Sequence, residues 1–265
     1  MTSHREIFMM STSNTTANRY GSIAAEIYDI DKPFHALRDT AFYLGRLSDH
    51  EGPILEPACG TGRALVPILE AGLDVTGFDA SAEMLGVCRT RCAERRFSPS
   101  LSQQSFEQFH YDREFSAIVV PVASFCLIDD FATALGVLGR FRDHLRVGGL
   151  LMLDIQPLSA MAGAGGDRRS WTAGNGDLLT VMGDRQKVDW LAQREEHHNR
   201  YERWREGALI ESQLEPMALR YWSKEEFAFA LRDAGFGDIQ VFGNYDRGRA
   251  PRSGDRILTF EALRI

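Results

Sequence analysis

Two hydrophobic patterns alternate along the chain: short continuous apolar runs, and longer stretches in which apolar residues recur every three or four positions. The continuous runs predict buried strands and the recurring pattern predicts amphipathic helices. The predicted strands are residues 53–56, 74–79, 115–122 and 150–155. The predicted helices are residues 17–47, 64–71, a segment that begins after Ser81, and 131–145. This order predicts a mostly parallel sheet covered on both faces.

Residues 156–222 interrupt this regular order. Three stretches there have the character of antiparallel strands, and Gly207 lies at a hairpin turn between the last two. The three stretches are residues 178–190, 194–205 and 208–222. After them, Ser223 and Glu226 form a capping box that opens another helix, and residues 239–242 and 257–263 predict two closing strands. We therefore expect an insertion within an α/β domain.

Composition narrows the classes of partner and compartment. The 265-residue chain has a formal net charge of −7, which argues against a nucleic-acid partner because such proteins usually carry a basic surface. The four cysteines form no CxxC pair, so we expect neither disulfides nor a metal site. No apolar run is long enough for a signal peptide or a membrane helix, which predicts a cytoplasmic protein without membrane contacts. Residues 1–17 are polar and are expected to be disordered.

The segment from Ile54 to Arg63 carries the first chemical signal. A predicted strand ends there in a turn of small residues that opens a helix. Gly60 and Gly62 allow the backbone to turn sharply and to approach a ligand closely. Asp79 ends the next strand, where an acidic side chain can accept both hydroxyls of a ribose. The spacing therefore predicts a nucleoside-binding site.

Two residues favour a nucleoside without phosphates over a nicotinamide dinucleotide. Leu65 stands where the dinucleotide fingerprint needs its third glycine. Glu56, at the strand end, would repel a pyrophosphate but suits a cationic amino-acid group. S-adenosylmethionine (SAM) carries both an α-ammonium and a sulfonium, so it fits this arrangement.

The stretch Glu56–Gly62 resembles the first motif of the class I SAM-dependent methyltransferases, which usually reads acidic-x-Gly-x-Gly-x-Gly; Ala58 stands at the first glycine. Residues 77–85, 104–106, 119–122 and 146–150 resemble further motifs of that family. The resemblance covers residues 17–155 and 223–265. It is closest to small-molecule enzymes with an antiparallel insertion, the glycine N-methyltransferase-like group.

The resemblance implies an α/β fold of known architecture. It is a Rossmann-like three-layer sandwich with a mostly parallel seven-stranded sheet, plus an antiparallel β insertion before the sixth strand. Residues 18–155 and 223–265 then form the SAM-binding core, and residues 156–222 form a cap on the substrate side.

The resemblance also implies a cofactor site. Asp79 would hold the ribose, Met84 would pack on the adenine, and Phe106 would offer its backbone N–H to the adenine. Ser105 replaces the acidic residue that is usual beside Phe106. The implied cofactor-binding residues are Tyr28, Glu56, Ala58, Gly60, Gly62, Asp79, Ala80, Met84, Ser105, Phe106 and Val122.

Catalytic residues are harder to predict, because methyl transfer mainly needs an aligned acceptor and the exclusion of water. A general base is needed only if the acceptor must lose a proton. The candidates are Tyr20, Tyr28, Asp129 and Tyr201, with Tyr245 and the pair His197–His198 as further possibilities. Asp129 and Asp130 are equally suited to cap the next helix, and strand alternation would expose one histidine of the pair.

The sequence thus predicts a SAM-dependent enzyme that moves a methyl group to nitrogen or oxygen of a small-molecule acceptor, with a homodimer as a possible assembly. The alternative is an enzyme that cyclises or decarboxylates SAM on the same fold. Aromatic residues of the insertion are expected to line the acceptor pocket, unless they only hold the strands together. They are Trp171, Trp190, Tyr201, Trp204, Tyr221 and Trp222.

Overall fold

The computed structural model describes residues 20–32, 38–48, 50–163 and 166–265. The helices in this part of the chain are α1 (Ser22–Asp31), α2 (Arg38–Leu47), α3 (Leu65–Glu70), α4 (Ala82–Glu94), α5 (Phe131–His144) and α6 (Lys224–Asp233). The strands are β1 (Ile54–Pro57), β2 (Val75–Asp79), β3 (Leu101–Gln103), β4 (Phe115–Val120), β5 (Leu145–Ile155), β6 (Asp167–Thr172), β7 (Leu178–Asp189), β8 (Arg194–Arg205), β9 (Ala208–Arg220), β10 (Phe236–Gly243) and β11 (Leu258–Arg264). Two 3₁₀ turns span Ser124–Leu127 and Leu158–Ala162.

The main sheet has seven strands in the order β10-β11-β5-β4-β1-β2-β3. Strands β5, β4, β1, β2 and β3 pair in parallel, whereas β11 runs antiparallel to both of its neighbours. Every residue of β1 and β4 is buried, as continuous apolar runs predict for strands covered on both faces. The carboxyl ends of the parallel strands share one edge, where ligands bind in sheets of this kind.

Helices cover both faces of this sheet and complete a three-layer sandwich. One core lies under α5 and α6 and includes Phe141, Trp222 and Phe227; the other lies under α2, α3 and α4 and includes Tyr43 and Leu65. Ser81 caps α4 and a capping box opens α6. The predicted fold class is confirmed, since the antiparallel insertion also lies before the sixth strand of the sheet, β10.

The insertion forms a separate four-stranded antiparallel sheet in the order β6-β7-β8-β9, here called the cap sheet. Helix α1 lies on its inner face. Ile23, Ala24 and Ile27 pack there against Val181 and Tyr201. The cap sheet and α1 therefore bury a small apolar core of their own.

Four details of the sequence-based prediction differ from the structure. Residues 17–47 do not form one continuous helix, because α1 and α2 are separate. Residues 33–37, between these helices, lie outside the described part. Proline, which the sequence has at Pro33, lacks the N–H needed in a helix interior. Strand β5 begins at Leu145 rather than at residue 150. The short polar strand β3 and the charged edge strand β6 were not predicted, because neither has an apolar run. Phe34 and Leu37, and residues 1–17 with their predicted disorder, lie outside the described residues.

The described residues contain neither a membrane-spanning helix nor a metal-binding cluster. No helix there is both long enough and apolar enough to cross a lipid bilayer. No group of three or more His, Cys, Asp or Glu side chains in the same residues is placed to hold a metal ion.

Candidate functional site

The loop between β1 and α3 has the backbone shape of a close ligand contact. Ala58, Gly60 and Gly62 all adopt positive φ, at 52°, 56° and 85°. A side chain on Gly62 would come within 2.8 Å of the Cys88 sulfur, whereas one on Gly60 would meet no described atom within 4 Å. Gly60 thus faces open space, and its backbone can approach a ligand. The positive φ at Ala58 explains why the family usually has glycine there, since a Cβ makes this conformation costly.

Asp79 holds this loop at the end of β2. Its carboxylate accepts hydrogen bonds from the backbone N–H of Gly60, at 2.8 Å, and of Ser81, at 2.9 Å. Burial raises the pKa of Asp79, and the two N–H donors partly oppose this effect. The side chain therefore joins the glycine loop to the start of α4 while facing the adjacent cavity.

That cavity, here called the nucleoside cavity, lies at the carboxyl ends of β1 and β2. Its volume is about 440 Å³. Phe78 and the loop after β3 line it, and so does Tyr20, which lies two residues before α1. The lining residues are Tyr20, Ala58, Phe78, Asp79, Ala80, Ser81, Gln104, Ser105, Phe106, Glu107, Gln108, Leu127 and Ile128.

Glu56 lies behind the loop, at the end of β1. It is 2% exposed, and its Oε2 atom has no hydrogen-bond partner among the described residues. Burial raises the pKa of this carboxyl well above its usual range. A buried acceptor without a donor is costly, so a ligand ammonium at this position would satisfy it. The site therefore fits the aminoacyl end of SAM.

A second cavity, here called the acceptor cavity, lies between α1 and the cap sheet. It measures about 180 Å³ and shares Tyr20 with the nucleoside cavity. Its walls combine three tyrosines with charged residues from α1 and β6. The lining residues are Tyr20, Ala24, Ile27, Tyr28, Asp31, Lys32, Arg169, Val181, Gly183, Asn199, Tyr201 and Met217.

A buried ion pair supports the junction of α1, α2 and the glycine loop. Arg63, directly after Gly62, pairs with Asp39 of α2, and both side chains are buried. Burial raises the pKa of the Tyr28 hydroxyl, and the nearby Arg63 charge opposes this effect. Burial lowers the pKa of the Lys32 ammonium and the nearby Arg63 charge lowers it further; this ammonium lies 4.7 Å from the centre of the Tyr28 ring. The junction is thus a compact cluster of charges beside the acceptor cavity.

Helix α1 is fastened to both halves of the molecule. Arg203 of the cap sheet pairs with Glu26, and Arg91 of α4 pairs with Asp29. Glu215 of β9 accepts the backbone N–H of Gly21, at the start of α1. These contacts hold α1 over both cavities.

The structure brings many of the predicted cofactor residues together. Ala58, Asp79, Ala80, Ser105 and Phe106 line the nucleoside cavity. The cavity is not lined by Glu56, Gly60, Gly62, Met84 or Val122. Gly60 and Gly62 nevertheless belong to the adjacent glycine loop, and Glu56 lies just before that loop. Met84 is buried in α4. Val122 has a φ of 60° and donates its backbone N–H to Asp154 at 2.7 Å.

The catalytic candidates divide into two groups. Tyr20, Tyr28 and Tyr201 meet at the acceptor cavity. Asp129 lies apart from them in an open groove at the start of α5, where it pairs with Arg194 at 2.7 Å. Asp130 caps α5. The Asp129–Asp130 pair is therefore used for structure.

Sequence reasoning missed Lys32 and Asn199, which line the acceptor cavity, and Arg63, which lies beside it. Arg63 directly follows the glycine motif, so its position was a usable signal. Lys32 and Asn199 had no such signal, because only packing of α1 on the cap sheet brings them to one cavity.

Comparison with known proteins identifies the fold and its domain. A family described as "Methyltransferase domain" matches residues 54–149, which include the glycine loop, Asp79 and β4. This segment therefore has the sequence of a methyltransferase domain. A solved SAM-dependent methyltransferase from Clostridium acetobutylicum ATCC 824 has the same fold, with a TM-score of 0.76 at 17% identity, covering 90% of this chain and 96% of that one.

Two curated relatives of the chain are named as N-methyltransferases. The cypemycin N-terminal methyltransferase of Streptomyces sp is 27% identical over 168 residues, which are 61% of this chain and 67% of the relative. A dTDP-3-amino-3,6-dideoxy-α-D-glucopyranose N,N-dimethyltransferase of Streptomyces fradiae is 28% identical over 154 residues, which are 55% of this chain and 59% of the relative. The chain matches between 42% and 67% of the length of its curated relatives. None of these names assigns the methyltransferase to the glycine N-methyltransferase-like group, so that finer assignment stays a prediction.

Proposed function

We propose that this methyltransferase transfers the methyl group of SAM to an amine nitrogen of a small molecule held in the acceptor cavity. The observation that carries the proposal is the meeting of two cavities at Tyr20. One cavity has the residues of a nucleoside site and the other has a polar, aromatic wall. A donor and an acceptor bound on either side of one residue would be brought into contact.

The names of relatives favour nitrogen over oxygen. The cypemycin enzyme and two dTDP-amino-sugar enzymes, from Streptomyces fradiae and Streptomyces venezuelae, are all named as N-methyltransferases. These relatives are methyltransferases, so they give no support to the alternative of SAM cyclisation or decarboxylation.

Bound SAM would supply an electrophilic methyl group on a sulfonium. The chain would hold SAM and the acceptor in position and would exclude water from the site. Asp79 would accept the ribose hydroxyls, and Glu56 would accept the α-ammonium. Tyr20 and Tyr28 would close the site against water, which strengthens the electrostatic contacts inside it.

The test uses mass spectrometry with four acceptors. The purified chain is incubated with SAM and either of the two dTDP-amino sugars named for the relatives, a peptide with a free N-terminal amine, or dTDP-glucose as the matched hydroxyl-only control. We expect S-adenosylhomocysteine and a methylated product with at least one amine, and none with dTDP-glucose. Methylated dTDP-glucose would instead indicate an O-methyltransferase. Consumption of SAM without S-adenosylhomocysteine would reject methyl transfer.

A further inference from the structure

A buried acid–histidine pair lies on the inner face of the cap sheet, beyond the residues described so far. The Nε2 atom of His197 is 2.9 Å from Oε2 of Glu195, two residues earlier in β8. Glu195 is 1% exposed, whereas the His197 side chain is 18% exposed. A buried carboxylate thus holds a histidine whose other ring edge can reach solvent or a ligand.

The strand register places His197 beside the acceptor cavity. Side chains alternate along a strand, so His197 is on the same face of β8 as Asn199 and Tyr201, which both line that cavity. Its cross-strand neighbour in β9, Met217, also lines the cavity. His197 therefore stands one row, about 7 Å along β8, from Asn199.

The orientation of the imidazole follows from its partner. Nε2 of His197 lies within hydrogen-bond distance of the Glu195 carboxylate, so an N–H on Nε2 can donate to that acid. Nδ1, the other ring nitrogen, is then the one without a proton. In this tautomer Nδ1 has a free lone pair, the arrangement of a histidine general base held by an acid.

The contacts of Glu195 keep it in place. The Tyr221 hydroxyl donates to its Oε2 atom at 3.0 Å, and Arg185 of β7 lies 3.3 Å from Oε1. Burial, followed by the charge of Glu195, raises the pKa of Tyr221, so this hydroxyl stays a donor. Arg185 and Tyr221 contact Glu195, and Cys126 of the turn after β4 lies near Tyr221. Asp31, Lys32 and Arg169 line the adjacent cavity.

We propose that His197, oriented by Glu195, is the general base that removes a proton from the ammonium form of the acceptor. The inference rests on the proposed N-methylation, because an alkylammonium has no lone pair with which to attack. The N–H bond of the acceptor breaks and its proton goes to Nδ1 of His197. The freed nitrogen pair then forms the N–CH₃ bond while the C–S bond of SAM breaks, with its electron pair left on sulfur. The imidazolium releases its proton through its exposed edge.

The decisive experiment is the pH dependence of kcat/KM for an amine acceptor that the wild type methylates, drawn from the dTDP-amino sugars and the peptide amine. His197→Gln keeps a donor toward Glu195 but cannot accept the proton. We expect kcat/KM to fall about 100-fold or more below the pKa of the acceptor amine. The loss should shrink as pH rises above that pKa, since the amine is then already neutral.

The neighbouring histidine provides the control. His198 is exposed on the outer face of the cap sheet, so His198→Gln should keep the wild-type profile. Calorimetric SAM binding should be the same for wild type and both variants.

The outcomes separate the two proposals. If the wild type forms no S-adenosylhomocysteine with any of the amines, the proposed function fails and the assignment of His197 falls with it. If the wild type is active but His197→Gln has the same profile, or a loss that is equal at every pH, the general-base assignment alone is overturned.

Discussion

Three carboxyl groups lie at the ends of parallel strands and contribute negative charge to this edge of the sheet when they are ionised. Glu56, Asp79 and Asp154 lie at the carboxyl ends of β1, β2 and β5, and burial raises the pKa of all three. An acid held away from water has an unusually strong interaction with a cation that reaches it. A ligand with an ammonium and a sulfonium would therefore be bound most strongly when these acids are ionised.

Asp79→Ala should weaken SAM binding by about 1–3 kcal/mol, the cost of a lost charge-assisted hydrogen bond together with a loosened glycine loop. Isothermal calorimetry measures the change. Asp74→Ala is the matched control, because Asp74 directly precedes the same strand at its opposite end and is exposed. Equal affinity of wild type and Asp79→Ala would remove Asp79 from the site.

Asp154 predicts a pH dependence of stability. Burial raises its pKa to about 6, although Thr259, Tyr245 and Val122 donate hydrogen bonds that oppose the rise. The unfolded value is about 3.9, so the folded state binds this proton more tightly. The contribution to stability is therefore fully present below about pH 4 and is lost as pH rises through about 6.

Urea denaturation of wild type and Asp154→Asn measures this effect. Between pH 4 and 7 the wild type should lose on the order of 3 kcal/mol relative to Asp154→Asn. The exposed Asp233→Asn should show no such difference. If the difference in free energy of unfolding between wild type and Asp154→Asn is the same at every pH, Asp154 does not titrate in this range.

At the scale of elements, α1 joins the two halves of the site. Its apolar face, with Ile23 and Ile27, packs on the cap sheet, while Asp29 pairs with α4. It carries Tyr28 and directly follows Tyr20, the residue common to both cavities. Loss of this helix would open both cavities to water at once.

Removal of residues 2–17 should leave turnover unchanged, whereas removal of residues 2–28 should lower kcat about 100-fold or more. The first segment lacks apolar content, and the second includes Tyr20, Tyr28 and most of α1. Steady-state kinetics on the two truncated chains tests this, with circular dichroism to compare their folding. Full activity of the chain that begins after Tyr28 would reject a closing role for α1.

At the scale of the whole molecule, the core and the cap sheet contribute to different cavities. The core provides the nucleoside cavity, and the cap sheet provides one wall of the acceptor cavity. Of the aromatic residues in the insertion, Tyr201 reaches that wall, Tyr221 holds Glu195, and Trp222 packs in the core of the main domain. Trp190 lies exposed at a hairpin end. Aromatic content alone therefore did not indicate which side chains face the acceptor.

Tyr201→Ala should raise the KM for the acceptor about 10-fold and change SAM affinity less than about 2-fold, because its contacts lie on the acceptor side. Initial-rate kinetics and calorimetry separate the two quantities. Trp190→Ala is the control and should match the wild type in both. A parallel loss of SAM affinity in Tyr201→Ala would contradict the division between core and cap.

Local sequence patterns were sufficient for the core of the fold. The apolar runs of β1 and β4, the cap at Ser81 and the capping box at Ser223 depend on neighbouring residues, so they can be predicted from the sequence. The glycine loop with Asp79 was predicted because each comes at the carboxyl end of one of two neighbouring parallel strands, and these ends meet at one edge of the sheet.

The acceptor side was decided by tertiary structure. Lys32 and Asn199 meet only because α1 packs across β8. The Glu195–His197 contact is local to β8, but only the packing of the cap sheet decides that it lies on the inner face. Strand alternation predicted that one histidine of the pair would be exposed, but it could not say which face the cap sheet turns inward. The sequence by itself thus determined the glycine loop with Asp79, which residues near each other in sequence define, whereas contacts between distant segments decided which residues line the acceptor cavity.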